Sequence, residues 1–162
     1  MKHEILIYNK TRRQVPQQFI KSVIFGVLGF LKLKQPVELA VLVVSEKEIK
    51  RLNKIWRRQD KVVDELSFGL NSRLPARFAG ALARRAGGTK FAKKQNKVLA
   101  LGEIVISSEK IRDKKYLTTL LIHSLLHLLG HHHEKAAIEA KKTERLEEKI
   151  FKHLSISLEI RN

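Results

Sequence analysis

The sequence predicts a globular chain that mixes helices and strands. Three observations predict it. The 162 residues are 43% hydrophobic and 30% charged, a balance that builds a core rather than a disordered chain. Apolar residues recur at helical spacing in some segments, while others are short β-branched runs. No apolar run approaches the roughly 20 residues that span a bilayer. The length suits one domain over residues 1–162.

The elements follow in order. His3 to Tyr8 alternates weakly and predicts an edge-type or half-buried strand. Pro16 suits the first turn of a helix, in which Phe19, Ile20, Val23, Ile24, Val27, Leu28 and Leu31 recur on one face. Gly26 and Gly29 are expected to let another element approach closely. Val37 to Val44 predicts a buried strand. Ser45 followed by Glu48 is a capping box that opens a helix to about Trp56. Asp64 to Phe68 and Leu101 to Ser107 predict two further strands. Lys114 to Leu129 predicts an apolar helix ended by Gly130. A last helix is expected from Glu134 to about His153, with Ile138, Leu146, Ile150 and Leu154 on one face. Ser155 to Ile160 alternates and predicts an extra strand or a loose tail.

The 33 Lys and Arg against 16 Asp and Glu give a net charge of +17, which attracts polyanions such as nucleic acid. The excess is uneven. Residues 69–100 carry Arg73, Arg77, Arg84, Arg85, Lys90, Lys93, Lys94 and Lys97 and no acid. This stretch is expected to be an insertion, with a short helix around Ala79 to Ala86, that grips phosphate backbones. There are no cysteines, so any transition metal must be held by His or carboxylate. Their absence fits a reducing compartment, and the N-terminus lacks the order of a signal peptide, which places the protein in the cytoplasm.

The chemistry concentrates at His123-Ser-Leu-Leu-His127-Leu-Leu-Gly-His-His-His133. His123 and His127 are four apart, so a helix puts both on one face. Gly130 ends that helix, and the chain can turn to bring back a third ligand. Spacing favours His133 over His131 and His132. Three imidazoles with an open position lower the pKa of zinc-bound water to about 7 and polarise a phosphate. Zinc peptidases with similar spacing carry a Glu after the first His as general base. Ser124 stands there instead and cannot serve, which argues against a peptidase.

Three segments together resemble the YbeY-type rRNA maturation factors, single-strand-specific bacterial endoribonucleases. Leu52-Asn-Lys-Ile-Trp-Arg57 with Asp64-Glu-Leu-Ser-Phe68 is similar to the family's L-N-x-x-Y-R and T-D-V-L-S-F. Leu101-Gly-Glu-Ile-Val-Ile-Ser107 is similar to L-G-D-I-V-I-S, and His123 to His133 to H-G-x-L-H-L-x-G-Y-D-H. The resemblance implies an α+β fold, a small mixed β-sheet packed against helices with the metal in a cleft. It implies one Zn2+ on His123, His127 and His133, with Arg57 and His123 in the catalytic site. Its implied substrate is single-stranded RNA or rRNA, with the ribosomal small subunit as partner and ribosome quality control as the setting. Val63, Gly69, Glu103, Ser124 and His131-His132 depart from the pattern; the last pair loses an Asp beside the third ligand. A general base is not evident; zinc-bound hydroxide, Glu103 and a spare His are the candidates. The competing readings are a non-catalytic, zinc-containing RNA-binding assembly factor and, far behind, a metallopeptidase.

Overall fold

A computed structural model of the chain describes residues 3–69, 98–131 and 137–158. Four strands and four helices lie among them: β1 (Glu4–Asn9), α1 (Gln17–Phe30), β2 (Val37–Val44), α2 (Glu46–Arg57), β3 (Glu65–Gly69), β4 (Leu99–Ser107), α3 (Lys114–Leu128) and α4 (Ala137–Ser157). The strands form one mixed sheet in the order β1-β2-β4-β3. β1, β2 and β4 run parallel, and β3 pairs antiparallel with β4 at the edge. The α+β expectation holds.

Each face of the sheet has its own core. On one, Leu39, Val41, Val43, Ile104 and Ile106 pack with Ile20, Ile24 and Leu28 of α1, Leu117 and Leu121 of α3, and Ile150 and Leu154 of α4. On the other, Ala40, Leu42, Val44, Leu66 and Val105 pack with Ile49 and Leu52 of α2. β2 is buried almost throughout because both its faces are covered.

A bulge in β4 decides which residues face which core. The register with β2 steps from Ala100 to Gly102, so Leu101 is left over. Leu99 and Leu101 therefore share a face with Ile104 and Ile106, and Glu103 turns to the other. Gly102 has φ +125°, and a Cβ there would sit 2.0 Å from the Phe68 carbonyl oxygen. Only glycine fits.

Several expectations need correction. The last helix does carry Ile150 and Leu154 into the core, but Ile138 is 70% exposed. A four-residue step advances about 400° on a helix, so positions four apart drift from the buried stripe by about 40° each. Ser155 to Ser157 are neither strand nor loose, because helix continues through Ser157; residues 159–160 of that stretch lie outside the described residues. Gly26 does allow close packing, since a Cβ there would meet Leu154 at 2.4 Å, whereas a Cβ at Gly29 would meet no other part of the described residues within 4 Å. The Ser45 cap on α2 is as expected, its hydroxyl accepting from the Glu48 amide at 3.3 Å, and the Glu48 carboxylate also pairs with Arg51. The basic insertion is shorter at both ends than 69–100, because Gly69 and Leu99–Ala100 are strand; residues 70–97 lie outside the described residues.

Candidate metal centre

α3 is the helix on which the site is built. Asp113 caps its start, its carboxylate accepting from the Tyr116 amide at 3.0 Å. The helix is apolar on most sides because it is packed on α1, α4 and the sheet, with Leu117, Leu120, Leu121, Ile122, Leu125 and Leu126 buried. His123 and His127 interrupt that surface and are half-buried. Their ring centroids are 4.3 Å apart and the planes are tilted by 51°. Two imidazoles on successive turns are thus presented side by side.

The helix ends in a Schellman motif. The Gly130 amide donates to the His127 carbonyl at 3.0 Å, and the His131 amide to the Leu126 carbonyl at 2.9 Å. Gly130 takes φ +90°, which reverses the chain at once after His127. His131 is exposed beyond this turn. His133 and His132 lie outside the described residues, as do Arg73, Arg77, Arg84, Arg85, Lys93 and Lys94. Among the described residues no group of three or more His, Asp or Glu forms a metal cage. The described portion supplies two imidazoles of the expected three.

A carboxylate stands behind the first of them. Glu147 of α4 places Oε1 2.9 Å from Nδ1 of His123. This bond is the main reason the His123 pKa is raised; burial opposes it, and the charges of Glu147 and Glu65 add to it while Arg57 lowers it. With Nδ1 bonded to Glu147, Nε2 is the nitrogen by which His123 would hold an ion. A carboxylate–histidine pair of this kind fixes the ring and its tautomer in metal sites. The donor set therefore fits a borderline cation such as zinc.

Arg57 is the last residue of α2, exposed, and its charge reaches His123. Arg58 follows in the left-handed region, φ 56°, and breaks the helix. Buried Asn53 then holds the connection to β3, donating from Nδ2 to the Lys61 carbonyl at 3.0 Å. The Trp56 and Phe68 rings meet at 5.6 Å, tilted by 57°, across the same junction. The Leu52–Arg57 segment and the following strand are thus one unit that carries Arg57 to the neighbourhood of His123.

Two acidic residues at the site went unnoticed in the sequence. Glu147 flanks the buried stripe of Thr143, Leu146, Ile150 and Leu154, and that position on a core-facing helix was the available signal. Glu65 opens β3 and accepts a 2.8 Å hydrogen bond from Ser124, which is fully buried. Glu103, considered above as a base, pairs with Phe68 and Ala40 on the face covered by α2. The bulge at Gly102 takes it away from the histidines. It is half-buried, with no charged partner among the described residues, and burial pushes its pKa up to about 7.

The chain resembles known proteins over nearly its full length. The family model for endoribonuclease YbeY matches residues 6–155. Proteins named endoribonuclease YbeY are 31% identical in Persephonella marina (88% of this chain, 86% of that one) and 30% identical in Aquifex aeolicus (97% and 95%). A third, in a Sulfurihydrogenibium species, is 30% identical over 97% of this chain and 96% of its own. The solution structure of TM1509 from Thermotoga maritima has the same fold, with TM-score 0.56 at 22% identity over 96% of this chain and 91% of that one. This chain belongs to the endoribonuclease YbeY family.

Proposed function

We propose that the protein is a zinc-dependent endoribonuclease that cuts single-stranded RNA during rRNA maturation and ribosome quality control in the cytoplasm. The observation that carries this reading is the His123–His127 pair, with Glu147 behind His123 and the Arg57 cation within electrostatic reach. His123, His127 and His133 would hold one zinc per chain. Zinc supplies a Lewis acid for a phosphate oxygen and a lowered pKa for water. Glu147 holds the His123 ring in place. Arg57 offers a planar, permanently charged guanidinium that neutralises charge building on the phosphoryl group. The lysines and arginines of residues 70–97 would grip the strand, on the small ribosomal subunit in the cell.

The test uses purified wild type, His127→Ala and Arg57→Ala, with bound metal measured and each incubated with single-stranded RNA. Wild type is expected to hold one zinc and cut. His127→Ala loses the metal and the activity, and Arg57→Ala keeps the metal but loses about 10²-fold or more in rate. A zinc-loaded wild type that binds RNA and leaves it intact would instead identify a non-catalytic assembly factor.

A further inference from the structure

The residue after the first metal-binding histidine is Ser124, where a carboxylate would serve hydrolysis. The structure shows what that serine does. Ser124 is fully buried, and a buried hydroxyl needs a hydrogen-bond partner. It donates to Oε2 of Glu65 at 2.8 Å. Glu65 is the first residue of β3 and pairs with Ile106, which faces α3; the next residue, Leu66, faces α2. The strand therefore delivers to α3 the carboxylate that the helix itself lacks.

Among the described residues, Glu147 and Asp64 already have partners. Glu147 holds Nδ1 of His123. Asp64 takes the Tyr116 hydroxyl and, at 3.4 Å, the Lys110 ammonium. Glu103 lies across the sheet. Glu65 is only partly buried and acts electrostatically on His123, as Arg57 does with the opposite sign.

We propose that Glu65, held by Ser124, accepts the proton of the attacking hydroxyl in RNA cleavage; this rests on the endoribonuclease reading above. The nucleophile is water or a ribose 2′-hydroxyl. Its O–H bond breaks and the proton goes to Oε1 of Glu65, the carboxylate oxygen that Ser124 does not hold. Its oxygen bonds to phosphorus as the bond from phosphorus to the leaving ribose oxygen breaks. The proton then passes from Glu65 to that leaving oxygen, which restores the carboxylate.

The experiment compares full-length, zinc-loaded wild type, Glu65→Gln, Glu65→Asp and Ser124→Ala on a single-stranded RNA. It reads kcat, KM, bound zinc and the pH–rate profile. Glu65→Gln is expected to lose about 10²-fold or more in kcat with KM and zinc content unchanged, and to lose the acid limb of the profile. Glu65→Asp restores part of the rate, and Ser124→Ala falls between wild type and Glu65→Gln. A Glu65→Gln rate within threefold of wild type, or a rate loss matched by loss of zinc, overturns the assignment. Should Glu65→Gln not fold, a Ser124→Ala rate and profile equal to wild type overturn it equally. A zinc-loaded wild type that cuts no RNA refutes the endoribonuclease reading itself, and the Glu65 role with it.

Discussion

Glu65 and Glu103 sit on neighbouring strands three registers apart, yet their surroundings are opposite. Glu65 faces α3, bonded to Ser124, among the charges around His123. Glu103 faces α2, between Ala40 and Phe68, and burial alone pushes its pKa up to about 7. What a carboxylate does here is set by the face of the sheet it occupies. One backbone irregularity at Gly102 makes that choice for β4.

The comparison breaks most directly at Gly102. Gly102→Ala drives a Cβ into the Phe68 carbonyl in a backbone conformation that alanine rarely adopts. A loss of at least about 3 kcal/mol is expected, read from the urea midpoint. A loss under about 1 kcal/mol would mean that the bulge does not hold the two faces apart.

On the α3 face the expected effect is on metal. Glu147→Gln removes the charge behind His123 and should weaken zinc binding about 10- to 100-fold, measured by competition with a chelator. Zinc affinity equal to wild type would detach Glu147 from the site. On the α2 face the same kind of change should leave zinc untouched and act on stability.

Glu103 gives the smallest effect, and its sign follows from its raised pKa. The folded state holds the proton up to about pH 7, whereas the unfolded chain releases it near the ordinary glutamate value. Ionisation therefore destabilises the fold as pH rises through the window between those values, and there is no penalty below it. Such a shift corresponds to about 3 kcal/mol, reduced here to roughly 1–2 kcal/mol because the group is partly exposed. Glu103→Gln should be more stable than wild type by that amount at pH 8 and equal to it at pH 4, by thermal or urea unfolding. An equal gain at both pH values would contradict the account.

Much of the fold was legible because local signals were strong. The apolar spacing of α1, the β-branched run of β2, the Ser45 cap and the Gly130 stop all act within a few residues. The His123–His127 pair was legible for the same reason, since four residues on a helix fix a shared face. What was not legible depends on tertiary placement. Alternation from Leu101 puts Glu103 on the α3 side, and only the bulge reverses it. Glu147 and Glu65 reach His123 and Ser124 across 24 and 59 residues of chain, a distance no local pattern spans. The extension of α4 through Ser157 was masked by the alternating pattern that begins at Ser155.

The central claim is that cleavage depends on one zinc held by α3 and the turn after it. The most direct measurement strips the protein with a chelator and titrates zinc back while following cleavage of a single-stranded RNA. The rate should rise from near zero to a plateau at one zinc per chain, and His127→Ala should show no rise. Cleavage that persists without zinc, or a His127→Ala titration that matches wild type, would contradict it.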